Sequence, residues 1–446
     1  MKIERYPAYK DSGLEWLGGV PEHWEIMMIK NVYQCFGSGT TPDSSETKYY
    51  ENGTINWLNT TDLKNSLVSE TKRKITQLAL TEKSLKIYPI NTLAIAMYGQ
   101  GDTRGNVGLL NIESTTNQAA CMMYRSFNSI PKYMLWWFIA KKSDIRKINV
   151  GATQPNMNQD FLKNLFISLP PLSEQKAIAD YLDTKTSQID RKIDLLTQKV
   201  ALYGDLKQSL INETVTRGLD KSVPMKDSGI ELIGKVPEHW VVKRVKELLI
   251  SGNLGMKIGP FGSSIKLEII RNTGYKIYGQ EHVINDNFKI GHKYVDELKF
   301  KELQKYQILP GDIVVTMMGT VGKSKVVPEK IEKGIMDSHL IRIRVLSSLV
   351  IPALLALSIN EARYIKDQRK VLTKGSIMEG VNSQIIKSLN IVIPPLSEQK
   401  AIADYLDTKT AQIDQIIQTI NTQIEKLKEL RKTLINDVVT GKIKVV

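Results

Sequence analysis

From Ile189 onward the apolar side chains fall at Ile189, Ile193, Leu196, Val200, Tyr203, Leu206 and Leu210, mostly in alternating steps of four and three. That period is the seam of a coiled coil along one face of an α-helix. It slips by one residue at Lys207, which stands where a seam residue is expected. A second run has the same shape and slip: Ile413, Ile417, Ile420, Ile424, Leu427, Leu430 and Leu434, with Arg431 in the place of Lys207. Upstream of the first run, Pro170 and Pro171 cannot sit inside a helix, Ser173 is a fitting N-cap, and Glu174 puts negative charge in the first turn. A helix from Ile189 to Val215 would be roughly 40 Å long and too narrow to bury its own seam. Each helix therefore needs a partner. A homodimer, or packing on the helix's own domain, would serve. One chain holds two matching seams, however, so the two helices are expected to pair with each other, antiparallel if the halves are related by a pseudo-two-fold.

The seams belong to a larger duplication, the kind of signal that decides an architecture. Residues 170–186 read PPLSEQKAIADYLDTKT, and residues 394–410 repeat those letters 224 positions later. DSGLEWLGGVPEHW, from Asp11 to Trp24, returns 216 positions later as DSGIELIGKVPEHW, from Asp227 to Trp240. Between these blocks, 25–169 and 241–393 differ over most of their length. Ile95-Ala96-Met97-Tyr98-Gly99 does lie beside Val315-Thr316-Met317-Met318-Gly319. Gly151, Asn158, Lys163, Leu165 and Ile167 also recur as Gly375, Asn382, Lys387, Leu389 and Ile391. The two variable segments are expected to share a fold and differ in detail.

The 446 residues are too many for one ordinary domain, and the longest apolar stretches, such as Tyr133 to Ala140, are far short of a bilayer span. The start has no apolar signal-peptide core, and Cys35 and Cys121 cannot build a disulfide framework, so a cytoplasmic protein is expected. Charge sharpens this: 61 Lys and Arg against 47 Asp and Glu leave a formal +14, which suits a polyanionic partner. The surplus is uneven, +5 on 25–169 and +10 on 241–393, against zero on 173–217 and +1 on 397–446. Basic variable segments on neutral helices suit two DNA-contacting modules on a protein scaffold.

Side chains that could reach base edges or phosphates cluster in those segments. In the first they are Lys48, Tyr49, Tyr50, Asn59, Thr60, Lys72, Arg73, Lys74, Gln100 and Arg104. In the second they are Ser263, Ser264, Lys266, Tyr278, Gln280, Lys323, Lys325 and Arg342. For each one, a solvated surface side chain or a core aromatic is the competing reading, and Trp57, between Ile55 and Leu58, fits a core. Arg342 and Arg344 alternate as on one face of a strand, which fits either phosphate contact or plain exposure.

Catalytic motifs fail on inspection. Gly319-Thr320-Val321-Gly322-Lys323-Ser324 ends like a phosphate-binding loop, but Met317 stands where the first glycine belongs and no helix pattern follows. Gly99, Gly101 and Gly105 are off register for a dinucleotide fingerprint and read as a tight turn. Pro42-Asp43 with Glu46-Thr47-Lys48 leaves no room for the turn of a nuclease motif. His23, His239, His282, His292 and His339 lack metal-ligand spacing, and no amino-methyltransferase motif is present. His23 and His239 recur with VPEHW, as a structural cap would.

The doubled GxxPxxW opening, the PPLSEQKAIADYLD block and the long helix closing in LIN..VTG resemble the specificity subunit of Type I restriction-modification enzymes, over nearly the whole chain. Gly39-Thr40-Thr41-Pro42 and Tyr49-Tyr50 in the first segment are similar to family phrases, whereas the second has Gly259-Pro260-Phe261-Gly262, which implies a different target. The resemblance implies two α/β target recognition domains in tandem, 1–169 and 227–393. Each reads one half of a bipartite, asymmetric double-stranded DNA site. The repeated helical regions, 170–226 and 394–446, would form an antiparallel coiled coil that sets the gap and docks two methyltransferase subunits. A ~40 Å strut is close to one turn of B-DNA, about 34–36 Å. Modification and restriction subunits would supply S-adenosylmethionine, ATP and Mg chemistry, with no cofactor, metal or catalytic residue in this chain. A self-sufficient DNA methyltransferase or nuclease, or a coiled-coil adaptor with no DNA role, is the competing class.

Overall fold

The computed structural model describes residues 4–99, 101–148, 157–373 and 382–445, so that Gln100, Gly151 and Gly375 lie outside the described residues. The chain folds into two compact units, residues 1–197 with 422–446 and residues 198–421. Both cysteines are free, and burial pushes the Cys121 thiol up to about 12.

Two helices carry the seams and extend well beyond them. They span Leu172–Arg217, 46 residues, and Leu396–Val439, 44 residues, about 69 and 66 Å at 1.5 Å per residue. The roughly 40 Å expected from the apolar run alone is too short, because AIADYLD continues the same face toward the N-terminus. The first helix starts at Leu172, with the Gln175 N–H donating to Pro171 O at 2.9 Å. Ser173 is therefore inside the first turn rather than the cap.

Each unit holds one half of each helix, and within each unit the halves run antiparallel. In the first unit Ile178, Ala179 and Leu182 share a core with Ile435, Val438 and Val439, and Asp190 meets Arg431 Nε at 2.8 Å. In the second, Ile211 and Val215 share a core with Ile402 and Leu406, and Lys207 Nζ meets Asp414 at 2.6 Å. Asp414 and Arg431 are Asp190 and Lys207 displaced by 224, so the repeat forms the same ion pair twice. This explains the slip: Lys207 and Arg431 occupy the seam, while Leu206 and Leu430 are each 53% exposed. Ile413, Ile420 and Ile424 are buried; Ile189, Ile193, Leu196, Val200, Tyr203, Leu210, Ile417, Leu427 and Leu434 are half-buried. Pairs this exposed stabilise by at most about 1 kcal/mol, but a charged seam position fixes register.

The repeated sequence blocks meet at a buried tryptophan in each unit. Trp24 is fully buried, and its indole Nε1 donates to Glu174 Oε2 at 3.1 Å. The same carboxylate accepts from Tyr6 Oη at 2.9 Å and lies 2.6 Å from His23 Nε2. In the second unit Trp240 Nε1 donates to Glu398 Oε2 at 3.0 Å, and His239 Nε2 lies 2.6 Å from Oε1. The neighbouring Gln175 and Gln399 accept from the N–H groups of Ile130 and Ile351 and donate to Pro170 and Pro394 carbonyls, tying each helix start to its module. The end of the other helix arrives against the six-membered ring of the indole. Gly441 (φ +72°) lies against Pro21 and Trp24, and Gly218 (φ +77°) lies against Trp240, where a Cβ would sit 3.0 Å from the ring. Positive φ and the indole together require glycine at both helix ends.

Each variable segment is a two-sheet α/β module. The first has a five-stranded sheet ordered Tyr33–Gly37, Ala120–Ser126, Leu93–Ala96, Val107–Leu110, Ser66–Val68, and a three-stranded one centred on Ile55–Leu58. The second has four strands, Met256–Ile258, Leu340–Ile343, Ile313–Thr316 and Ser324–Val326, and three centred on Tyr275–Tyr278. Register exposes the equivalence: Trp57 pairs with Thr115 as Ile277 pairs with Ile335, a displacement of 220 in both. A helix at Pro131–Ile148 backs the first sheet; the second has Pro352–Glu361 and Arg363–Thr373, broken at Ala362. Glu25–Met28 pairs with Phe166–Leu169, and Val241–Arg244 with Asn390–Ile393. The two ends of each variable segment thus lie side by side, and a module can change without moving its frame. Asn158 and Asn382, matched in sequence, are both N-caps, accepting from Phe161 and Ile385 N–H.

Glu174→Ala removes the acceptor of two buried donors and should destabilise the first unit by about 2–4 kcal/mol. Glu398→Ala, which strips only Trp240 and His239, should cost its unit less. Thermal unfolding followed by tryptophan emission measures both, and equal losses would show that the number of donors is immaterial.

Candidate nucleic-acid interface

In the first unit four loops leave neighbouring strand ends and are drawn together by backbone joints. Gly39 N–H donates to Asn117 O at 3.1 Å, Asn117 N–H to Leu58 O at 3.2 Å, and Met97 N–H to Ala119 O at 2.9 Å. Gly39 has no room for a side chain, since a Cβ would fall 1.7 Å from Thr116 O. The loops at 38–42, 59–62, 97–99 with 101–105, and 117–119 therefore form one cluster. Its polar groups are mostly neutral: Thr41 Oγ1 donates to Gln118 Oε1 at 2.7 Å, and Asn117 Nδ2 donates to Asn59 Oδ1 at 3.0 Å. A Cβ on Gly99 would come within 3.8 Å of Thr60 Oγ1, which puts the hairpin turn beside them.

The second unit builds two of these joints 220 residues on and shifts the acceptor of the third, at Gly259. Asp337 N–H donates to Tyr278 O at 2.9 Å, Met317 N–H to His339 O at 2.9 Å, and Gly259 N–H to Leu340 O at 2.9 Å. Its polar groups are chemically different. Asp337 stands where Asn117 does, with Oδ1 accepting from His339 N–H at 2.8 Å and Oδ2 3.4 Å from His339 Nδ1. Burial pushes the Asp337 carboxyl up, opposed by its bonds to His339. Gln280, equivalent to Thr60, has a buried Oε1 with no partner. Phe261, equivalent to Thr41, is 86% exposed at a loop tip. The expected turn reading holds for Gly99, Gly101 and Gly105, which join adjacent antiparallel strands, and 319–323 likewise joins an antiparallel pair. His23 and His239 are the structural links expected of them. Among the described residues no group of His, Cys, Asp or Glu could hold a metal ion, and no helix is long and apolar enough to cross a membrane.

Residues 21–201 and 237–426 each match the family model described as Type I restriction modification DNA specificity domain. The chain belongs to the Type I restriction-modification DNA specificity family. It is 25% identical to the type I restriction enzyme MjaVIII specificity subunit of Methanocaldococcus jannaschii, over 98% of this chain and 97% of that one. It is also 25% identical to the MjaIX specificity subunit of the same organism, over 96% and 95%. Two solved structures share the fold. One chain, from a study of complex assembly and conformational transition in the type I R-M system, superposes with a TM-score of 0.72 at 15% identity, covering 95% of this chain and 99% of that one. The crystal structure of the HsdS subunit from Thermoanaerobacter tengcongensis gives 0.56 at 16%, covering 95% and 98%. The chain is thus the DNA-specificity subunit of a Type I restriction-modification complex and works with separate catalytic subunits.

In this specificity subunit the predicted contact residues scatter. Asn59, Thr60 and Gln280 lie in the loop clusters. Lys72, Arg73 and Lys74 are exposed; Arg73 sits 5.8 Å over the ring of Tyr50, and these two with Lys74 line an open pocket of about 570 Å³. Lys48 is 3.9 Å from Glu82, Lys323 is 3.7 Å from Glu361 and Lys325 is 2.6 Å from Asp286, so each has an internal counterion. Ser263 and Ser264 fall in a 3-10 turn at Gly262–Ser264, followed by exposed Lys266. Arg104 lines a cleft beside the helix Pro131–Ile148.

Burial withdraws three candidates. Tyr49 packs with Trp57 in a core cluster, its hydroxyl donating to Glu82 at 2.7 Å. Tyr278 is fully buried and donates to Glu332 O at 2.7 Å. Arg342 is 1% exposed, neither a phosphate contact nor a solvated side chain. It takes the place of core Met122 in the first module, 220 residues earlier. Its Nη1 donates to Gln307 O at 2.6 Å, and burial pulls its pKa down. Sequence reasoning missed Thr41, Asn117, Gln118, Phe261, Asp337 and His339. Aligning TTNQAA with IMDSHL at a displacement of 220 sets Asn117 against Asp337 and Ala119 against His339.

Arg342→Met should fold with a stability change within about 1 kcal/mol, because an apolar side chain of similar length removes a buried cation. DNA affinity should be unchanged. A tenfold loss of affinity with stability intact, measured by fluorescence anisotropy, would return Arg342 to the DNA surface.

Proposed function

We propose that each unit reads one half of a bipartite, asymmetric DNA site through its loop cluster. The long helices set the spacing between the halves and dock two modification subunits. Restriction subunits complete the complex, which works in the cytoplasm. S-adenosylmethionine, ATP and Mg belong to those partners, and the target adenine is flipped into a modification subunit's pocket while this chain holds its neighbours. The observation that carries this reading is the loop cluster built twice on one backbone plan with different polar side chains. Paired amides at Asn59 and Asn117 suit adenine, whose N6 and N7 offer one donor and one acceptor. Carboxylate and amide oxygens at Asp337 and Gln280 suit a donor such as cytosine N4.

Exchanging 25–169 for the same segment of a relative and sequencing the methylated sites tests the assignment. One half-site should change and the other should not; a change in both or in neither would overturn it. Inserting one heptad after Lys192 should alter the gap and leave both half-sites as they were, and an altered half-site would count against the helices as a ruler.

A further inference from the structure

Beside the loop cluster of the first unit lies a cleft of about 540 Å³. Its walls are the turn at 102–104, the last turns of the helix Pro131–Ile148 and the second long helix at Lys432. Five cations line it, Arg104, Lys142, Arg146, Lys147 and Lys432, against a single carboxylate, Asp102. Lys142 and Arg146 are one turn apart on the same helix face, an arrangement that repels unless an anion sits between them. Asp102 is that anion. Lys142 Nζ donates to its Oδ2 at 2.8 Å and to its backbone carbonyl at 2.8 Å, and Arg146 Nη1 donates to Oδ1. These bonds hold the Asp102 carboxyl below the usual carboxylate range, Lys142 contributing most. Both carboxylate oxygens are thus engaged as the two free oxygens of a phosphodiester would be.

Three features distinguish this from an ordinary surface ion pair. Asp102 is 83% exposed, while the side chains it bridges are 14% and 30% exposed, so the anion is on the outside and the cations are preset beneath it. The turn carrying it has positive-φ glycines on both sides, Gly101 at +61° and Gly105 at +80°, so its path is set by residues with no side chain to anchor it. The matching turn of the second unit is held differently: Arg369 Nη2 donates to the neutral carbonyl of Val321 at 3.0 Å. Holding the turn therefore does not require a carboxylate. The same turn reaches the loop cluster at Gly99, beside Thr60.

We propose that this cleft seats a backbone phosphate of the DNA flanking the half-site read by the first unit, and that Asp102 occupies the seat until the phosphate displaces it. The proposal rests on the DNA-reading assignment above. Lys147 and Lys432 then add long-range attraction around the seat.

The test is fluorescence anisotropy of the full chain, with modification subunits present, on a duplex carrying its site, across roughly 50 to 200 mM salt. Lys147→Ala with Lys432→Ala should weaken binding several-fold and make the salt dependence shallower by about one to two ions. Asp102→Asn should strengthen binding about two- to fivefold, because the seat no longer has to be vacated. Weaker binding by Asp102→Asn would reduce the carboxylate to a tether of the turn, and unchanged affinity and salt slope in both variants would remove the phosphate seat. A wild-type chain that binds no duplex would instead overturn the DNA-reading assignment itself, and this inference with it.

Discussion

The buried indole N–H groups of Trp24 and Trp240 each find their acceptor in a carboxylate in the first turn of a long helix. Trp24 and Glu174, like Trp240 and Glu398, join the segment that opens a module to the helix that leaves it. The glycine ending the other helix closes on the same ring, Gly441 on Trp24 and Gly218 on Trp240. One helix start and the other helix's end are thus fixed together in each unit, which obliges the two halves to run antiparallel. The seam and its charged pairs, Asp190 with Arg431 and Lys207 with Asp414, follow from that constraint. It also accounts for which letters the chain repeats: VPEHW, SEQKAIADYLD and the closing VTRG and VVTG each contribute a side to one junction.

Because the junction and seam carry the architecture, the loops at the strand ends are free to differ. Two of their three backbone joints are kept at a displacement of 220 while the side chains change from amides and hydroxyls to a carboxylate, a histidine and an exposed phenylalanine. Core positions change as well. Arg342 fills the site of Met122 by turning its guanidinium to backbone carbonyls, at the expense of burying an incompletely bonded cation. The fold and the proposed reading surface are therefore carried by different residues, as a chain that varies its target without losing its fold requires.

The duplication, the two paired helices and the separation of basic modules from neutral helices were legible in the sequence, because each leaves a periodic or compositional trace. Lys207 and Arg431 looked like defects because an ion pair across two helices appears only once the register between them is known. The seam reads only from Ile189, although the helix starts at Leu172, because the four-three period is easiest to see where isoleucine and leucine dominate, whereas AIADYLD carries it with fewer large side chains. Reading-surface residues were hardest. Tyr49 and Tyr278 sit beside polar residues on strand ends or in turns, where a core side chain and a base-stacking one look alike. Asn117 and Asp337 share a place in the fold but not a chemistry, so no identity of letters marks them.

Site-specific photocrosslinking tests the central claim, that each unit reads its own half of the site. A photoreactive residue is placed at Thr41 or at Phe261, equivalent and exposed loop positions, and the crosslinked bases on a duplex carrying the full site are mapped. Crosslinks from 41 should fall within one half-site and those from 261 within the other. Crosslinks from both positions to the same half, or only to DNA outside both halves, would contradict the account.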